Sequence, residues 1–402
     1  MTQKPEECLK NGCGGKAMLK LLSRAVTPLS DIAELDAVVR RIADGTSQQS
    51  ENRSKEYYLI GNGSDRIPEG YRGYFFFENP NGEVPINSFL LEPALSYLRG
   101  GDIVKLYPRH NMLRTLYRAN SLHNSMLVTE RCNSHCLMCS QPPRDADDSY
   151  IIGDILQMIP LMSPQTKSVG ITGGEPTLLG KDFIGIIQCL KRCLPSTAVH
   201  VLSNGRNFKD WDYANAVAGI SHPDLMIGIP LYSDISSIHD YVVQADGAFD
   251  DTIRGIINLK SVGVRVEIRI VIHKLTYERL PDLSRFIRRN LTFCDHVALM
   301  GLELTGFTRL NMDKLWIDPK DYQPQLGEAV RLLSEARMFV SIYNHQLCVL
   351  DPELRPFNRR SISDWKNEYM PECESCVRGN DCGGFFSSSK LKYSAHIKPF
   401  RT

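Results

Sequence analysis

No apolar run in these 402 residues approaches the roughly 18–20 needed to span a bilayer, which argues against a membrane-spanning chain. Net charge is scarce as well. Lys and Arg number 47 and Asp and Glu 46, leaving +1, so electrostatics give no reason to expect nucleic acid or an anionic membrane surface as partner. Met1 to Lys20 has Glu6 and Glu7 early and no continuous apolar core; it makes a poor signal peptide, and the expected location is the cytoplasm. Internal repeats and low-complexity tracts are missing too. What remains, at 42% hydrophobic and 23% charged, is the composition of a soluble globular protein long enough for two or three domains.

Cysteine, by contrast, is plentiful, with twelve residues. In a reducing compartment, close-spaced cysteines read as metal or redox sites and not as disulfides. Cys132, Cys136 and Cys139 form one group, and Cys373, Cys376 and Cys382 a second, with Cys348 a little upstream.

Along the chain, residues 1–55 mix helical stretches with polar residues and end in a linker-like segment, Thr46 to Ser54. Short apolar and aromatic runs follow (Tyr57–Ile60, Tyr74–Phe77, Ile103–Tyr107), broken by Gly, Pro and Asn; they predict a small β-rich module. From 125 to about 305, strands are expected at Ser125–Thr129, Ser168–Thr172, Ala198–Ser203, Leu225–Tyr232, Val264–His273 and His296–Leu304. Helices are expected between them at Gly153–Leu161, Asp182–Leu194, Trp211–Val217, Phe249–Val262 and Glu278–Asn290. This alternation implies an α/β fold, a parallel sheet with right-handed crossovers. Six units suit a partial barrel, with chemistry beyond the carboxyl ends of the strands. A further helix (Tyr322–Ala336) and a short strand (Phe339–Tyr343) lead into a loop-rich, cysteine-bearing tail. The domains expected are 1–120, 121–310 and 311–402.

The first cysteine group begins where the first barrel strand ends. Cys-x3-Cys-x2-Cys lets one loop supply thiolates to three irons of a [4Fe-4S] cubane while the fourth iron stays open to a chelating cofactor. Reductive cleavage of such a cofactor yields a carbon radical. Zinc is the competing occupant, but it favours four ligands, and His135, next to Cys136, is badly placed to complete a tetrahedron. At the second strand end, Gly173-Gly174-Glu175-Pro176 offers close backbone approach and a carboxylate for an ammonium group. At the third, Ser203-Asn204-Gly205 adds two short polar side chains, and Ser233, Arg269 and Glu303 are further candidates on the same rim.

Three motifs at three successive strand ends closely resemble the radical S-adenosylmethionine (SAM) superfamily. The resemblance implies a partial (β/α)6 barrel in which Gly173 to Pro176 position the SAM amino group. It also implies that polar side chains of strands three to five bind ribose and carboxylate. Met138 stands where that family usually has an aromatic near the adenine, and its flexible thioether suits the same role.

Cys348, Cys373, Cys376 and Cys382 form a candidate four-thiolate set, with Gly383 and Gly384 leaving amides free to reach the sulfurs. The spacing resembles the shortened auxiliary iron–sulfur (twitch) domain of peptide-modifying radical SAM enzymes; zinc is the alternative. Cys189 and Cys193 share a helix face and read as packed thiols, Cys294 as core, and Cys8 and Cys13 as unassigned. His239 with Asp240 is a candidate for proton transfer or a surface pair.

Finally, Val128–Pro143, Met300–Gly306, Tyr343–Cys348 and Ser361–Lys366 resemble the HxsC-type maturases of His-Xaa-Ser repeat peptide systems. That resemblance implies a precursor peptide as substrate, a second radical SAM maturase as companion, and a flavodoxin or ferredoxin as reductant. A radical SAM enzyme of small molecules or nucleotides, and a zinc-stabilised non-catalytic binding protein, are the other readings.

Overall fold

A computed structural model describes residues 22–23, 26–32, 36–45, 53–61, 67–360 and 368–401; Cys8, Cys13, most of the Thr46–Ser54 segment and the Ser361–Lys366 motif lie outside them. The first part is a mixed sheet of eight short strands. These are β1 (Leu22–Ser23), β2 (Val26–Pro28), β3 (Val39–Ala43), β4 (Tyr57–Leu59), β5 (Gly73–Phe76), β6 (Ser88–Leu91), β7 (Ile103–Tyr107) and β8 (Met112–Tyr117), in spatial order β1-β8-β7-β3-β4-β5-β6-β2. Ile42, Tyr57, Phe75, Phe89, Val104 and Leu113 fill its core. The β-rich expectation was therefore too narrow: strands begin at Leu22, inside the stretch read as partly helical. Val39, Ile42 and Ala43 are buried at helical spacing, but β3 pairs with β7 on one side and β4 on the other, and that pairing overrides the local pattern.

The second part is a parallel sheet whose seven strands follow chain order from edge to edge. They are β9 (His123–Leu127), β10 (Ser168–Thr172), β11 (Ala198–Leu202), β12 (Leu225–Pro230), β13 (Arg265–Ile272), β14 (His296–Gly301) and β15 (Val340–Tyr343). Each strand turns alternate residues outward, as period 2 requires. Val169, Val201, Ile227, Ile268 and Leu299 thereby join one large core under the helices. Those helices are α1 (Tyr150–Met158), α2 (Lys181–Cys193), α3 (Trp211–Gly219), α4 (Ser236–Val243), α5 (Ala248–Ser261), α6 (Leu280–Asn290), the single turns α7 (Phe307–Leu310) and α8 (Met312–Leu315), and α9 (Gln323–Glu335). The architecture is the expected α/β partial barrel.

Two elements differ from expectation. Helix α4 lies in a stretch for which no element was expected; it is only eight residues long and too short for a clear periodicity. Strand β15, read as leading into the tail, pairs in parallel with β14 through Val297 with Val340 and extends the sheet. Beyond it the described residues up to 401 are loop-rich, as expected. No helix among the described residues is long and apolar enough to cross a membrane.

The two sheets are not independent. Val39, Ile103 and Tyr117 belong to the barrel core, and the Tyr117 hydroxyl lies 2.8 Å from Thr166 Oγ1. Lys105 Nζ reaches Asp154 Oδ1 of α1 at 2.7 Å, with both side chains largely out of water. Removing one partner leaves the other charge buried and unpaired. Lys105→Met is expected to cost about 3 kcal/mol of stability, read as a lower urea midpoint.

Candidate active site

Everything at the candidate site is organised around the loop that leaves β9. Thr129 Oγ1 and the Glu130 N–H both donate to Asp148 Oδ2, at 2.6 and 2.7 Å, and Arg131 Nε reaches Asp148 Oδ1 at 3.1 Å. Burial alone would push the Asp148 carboxyl up, but these donors outweigh it and hold the group below its usual range. Asp148 thus pins the start of the loop to the segment that enters α1.

The rest of the loop is gripped by neighbouring strand ends. Gly174 N–H donates to Thr129 O (2.9 Å) and Glu175 N–H to Arg131 O (2.8 Å). A Cβ on Gly174 would lie 2.0 Å from Arg131 O and 3.1 Å from Cys132 Cβ, so only glycine lets these backbones meet. From β11, Asn204 Nδ2 donates to Asn133 Oδ1 (2.6 Å), and Arg206 Nη1 to Asn133 O (2.7 Å). From α4, Val243 O and Val242 O accept the N–H groups of His135 and Leu137. After β14, Phe307 N–H donates to Cys139 O (2.8 Å), Thr308 Oγ1 to Met138 O, and Asn311 Nδ2 to Leu137 O.

Glu175 ties the second strand end to the third. It is fully buried, and burial raises its carboxyl. Its Oε1 accepts from Thr177 N–H (3.0 Å), Thr177 Oγ1 (2.5 Å) and Ser203 Oγ (2.8 Å), and Oε2 accepts from Asn204 N–H (2.6 Å). The expectation that Glu175 receives an ammonium group is thereby sharpened. In this structure the carboxylate serves as an internal fastener and as the cap of the turn Pro176–Leu179. Ser203 is occupied in the same way, its Oγ also accepting from Gly205 N–H at 3.0 Å.

The three thiols lie together under this clasp. Burial pushes Cys136 up to about 12, aided by Cys139 and Cys132. It pushes Cys132 up to about 11, with Glu175 and Cys139 adding to the rise, and Cys139 rises by burial as well. Three thiols that oppose one another's ionisation in a half-dry loop suit a shared multivalent cationic centre, which alone makes three thiolates favourable. The donor set fits a [4Fe-4S] cluster with one iron left to SAM.

Beneath the loop, Met138 is buried with Tyr232, Val242, Val243 and Leu315, and Cys136 and Leu302 pack on the same cluster. Tyr232 was not anticipated. It is buried beside Cys136, Cys139 and Arg269, with its hydroxyl raised well above the ordinary value, chiefly by burial. Ser233 is buried and accepts from Ile235 N–H at 3.1 Å. Arg269 lies on the inner face of β13 and reaches Glu267 Oε1 at 2.6 Å. Glu303 is half-buried two residues beyond β14. Asp148, Arg206 and the Phe307–Asn311 turn also escaped sequence reasoning, since each acts through a backbone contact that carries no motif.

The second cysteine group converges too. Cys348, Cys373, Cys376 and Cys382 all line one pocket, walled by Leu347, Tyr369 and Phe400. Burial raises the Cys348 and Cys373 thiols, and the other members of the set raise them further. Leu347 N–H points to Cys382 Sγ at 3.5 Å, and the Lys398 backbone donates to Cys348. The Met370 backbone likewise hydrogen bonds to Cys373. Gly384, expected in that role, packs its backbone against Glu368. No group of three or more His, Cys, Asp or Glu among the described residues is arranged to hold a single metal ion. A cleft of about 630 Å³, its solvent-open mouth included, is lined by Leu302, Leu304, Trp316, Gln346, Phe385 and Lys392, among others; Leu302 also packs under the cysteine loop and Gln346 also lines the second thiol pocket.

The remaining described thiols are packed: Cys189 and Cys294 are buried, and Cys193 sits against the barrel core. His239 is no surface group. It is 1% exposed, accepts from Tyr232 N–H, and burial lowers it to about 4.

The family model of the radical SAM superfamily matches residues 126–287, from within β9 to within α6. No curated protein matches the chain. Among solved structures it is similar to Streptococcus suis SuiB bound to S-adenosylmethionine, at 19% identity, 58% of this chain, 53% of that chain and a TM-score of 0.45. SuiB bound to precursor peptide SuiA gives 18%, 56%, 49% and 0.44. The structure of anSMEcpe with AdoMet and a Cp18Cys peptide gives 16%, 54%, 62% and 0.42. The chain thus spans about half the length of the SuiB structures it matches.

Two predictions follow from the clasp. Gly174→Ala is expected to displace the Arg131–Cys132 backbone and lower iron incorporation by more than half, read by iron analysis of anaerobically reconstituted protein. For Asp148, the folded carboxyl is held below its unfolded value, so its contribution is present above the unfolded range near about 4 and is lost as pH falls through the folded value. Between about pH 5 and 2 wild type is therefore expected to lose more stability than Asp148→Asn, seen as converging melting temperatures.

Proposed function

Because the chain carries a radical SAM domain, we propose that it abstracts hydrogen from a ribosomally made precursor peptide of the His-Xaa-Ser repeat class. A [4Fe-4S] cluster on Cys132, Cys136 and Cys139, with SAM on its open iron, supplies reductive cleavage of the sulfonium carbon–sulfur bond and a carbon radical as oxidant. The observation that carries this reading is three mutually opposed thiols in one loop, held at every side by the ends of β10, β11 and β14 and by α4. Glu175 and Ser203 fix the second and third strand ends, while Met138 and Tyr232 close the apolar side of the chamber and exclude water from it. Gly173, Gly174, Pro176 and Asn204 complete the rim on which SAM is proposed to lie, with Ser233, Arg269 and Glu303 deeper or further round.

A peptide substrate is supported by the cleft lined by Leu302 and Gln346 and by the resemblance of Val128–Pro143, Met300–Gly306 and Tyr343–Cys348 to the HxsC-type maturases. Met300–Gly306 leads into the turn that docks on Cys139, and Tyr343–Cys348 lines the cleft and supplies one thiol of the second set. We place an auxiliary iron–sulfur cluster on Cys348, Cys373, Cys376 and Cys382, within a C-terminal domain 311–402 that lends β15 to the barrel of 121–310. Residues 1–120 form the remaining domain. A cytoplasmic setting, a flavodoxin or ferredoxin reductant and a second radical SAM maturase complete the proposal. Zinc on the same four sulfurs is the competing reading, although no described group is arranged for a single metal ion, and metal analysis separates the two.

Anaerobically purified protein is expected to be brown with about seven or eight irons per chain. Cys136→Ala should abolish 5′-deoxyadenosine formation, and incubation with SAM, reductant and a repeat peptide should give a peptide two hydrogens lighter. Colourless protein with stoichiometric zinc would sink the proposal. An unchanged peptide alongside 5′-deoxyadenosine would point instead to a small molecule or nucleotide.

A further inference from the structure

The inner face of the half-barrel carries a polar array that the cysteine chemistry leaves unused. On β13, Val266, Ile268 and Ile270 enter the outer core, which turns Glu267 and Arg269 into the chamber. The Glu267 side chain is 5% exposed, receives Arg269 Nη1 at 2.6 Å, and lies 2.6 Å from His296 Nδ1 and 3.4 Å from His200 Nε2. His200 approaches Glu267 across β12, and Arg269 lies over the same strand, because Gly228 has no side chain; a Cβ there would meet both at 2.9 Å. On the far side, His296 Nε2 lies 2.9 Å from Ser341 Oγ, and the Tyr343 hydroxyl hydrogen bonds to Ser341.

The order across β13, β14 and β15 is therefore carboxylate, imidazole, hydroxyl. Burial would raise Glu267, but the neighbouring His200 ring, the hydrogen-bonded His296 and the Arg269 charge outweigh it and hold the carboxylate well below its usual range. An ionised Glu267 at Nδ1 keeps the imidazole proton there and leaves Nε2 to accept one. Strand register sets this array, five strands round the sheet from β9, on the row that reaches the start of the cysteine loop. Thr172 pairs with Leu127, Ile171 with Val201, Leu202 with Gly228, Gly228 with Glu267, and Glu267 with His296. The row that ends on His296 thus begins at the last strand residues before the loop and Gly173. Arg269, one inner-face step further along β13, lies beside Tyr232, which packs on Met138 and Cys136.

Oxidation of a peptide by two hydrogens needs more than an abstracting radical. One hydrogen leaves carbon as an atom; the second leaves as a proton, while one electron passes to an oxidised iron–sulfur cluster, and the peptide ends two hydrogens lighter. We infer that His296 is the proton acceptor, taking the second hydrogen at Nε2 through the Ser341 hydroxyl while Glu267 holds the ring. The inference rests on the proposed peptide oxidation. Of the other buried histidines near the chamber, His239 is spent on the Tyr232 N–H and His345 is fixed between Tyr343 O and the Tyr322 hydroxyl, while His273, packed on Tyr232, has no carboxylate on its ring.

The test has two arms on the reconstituted holoenzyme. In the first, diethyl pyrocarbonate modification is mapped by mass spectrometry, with exposed His110 as reference. His296 should be acylated in free enzyme and shielded, relative to His110, by a synthetic His-Xaa-Ser repeat peptide. In the second, that peptide is turned over with SAM. His296→Gln should keep the cluster spectrum and 5′-deoxyadenosine formation but lose the lighter peptide about 100-fold, with partial rescue by added imidazole. Ser341→Ala should show the same split, at about tenfold. A His296 that stays unmodified while His110 reacts, or a His296→Gln that makes lighter peptide at the wild-type ratio to 5′-deoxyadenosine, overturns the inference and leaves the peptide reading standing. Wild type that yields no lighter peptide overturns both.

Discussion

Glu175 sits where three strand-end segments meet, fully out of water, with four hydrogen bonds on its carboxylate. A buried carboxylate is tolerated only when its oxygens are matched by donors, and two of these, the Thr177 and Asn204 N–H groups, can do nothing but donate. These bonds therefore hold the turn after β10 and the turn after β11 in one fixed relation. That relation positions Gly174, whose N–H and missing Cβ receive the Thr129–Cys132 backbone. The thiols inherit their placement from this chain of contacts. A cofactor site needs such preorganisation, since thiolates on a free loop would have to be ordered at the moment of binding.

The remaining supports close the ring from outside. Asp148 holds the loop entrance, α4 pairs with its middle, and the turn after Gly306 caps its exit. Each is supplied by a different crossover, so the loop senses the curvature of the whole sheet. Strand β15 matters for the same reason. It extends the curve beyond β14, carries Ser341 and Tyr343 on the inner face, and delivers the chain directly into Cys348.

How much of this was legible follows from the reach of each signal. Strands β10 to β14 and their helices are written in local periodicity, and their bounds fall within a few residues of expectation. The cysteine loop, Gly173–Pro176 and Ser203–Gly205 are legible because chemistry needs those residues at strand ends. The roles of Glu175 and Ser203 were not. A carboxylate in a Gly-Gly-Glu-Pro turn looks available to a ligand until the partners Ser203 and Asn204, 28 and 29 positions away, are seen on it. Val39–Ala43 misled because three buried residues at i, i+3 and i+4 suit a helix as well as a strand paired on both edges.

The inner-face array marks the same limit. Arg265-Val-Glu-Ile-Arg-Ile-Val-Ile272 announces by its alternation that Glu267 and Arg269 share one face, and an ion pair between them is readable at that spacing. What makes the pair chemically interesting comes from elsewhere. His200 arrives from two strands earlier, Gly228 leaves the gap it reaches across, and His296 and Ser341 come from one and two strands later. A residue's chemistry here is set less by its neighbours in sequence than by the row of the sheet on which it falls. The row through Glu267 is the one that runs back to the cysteine loop.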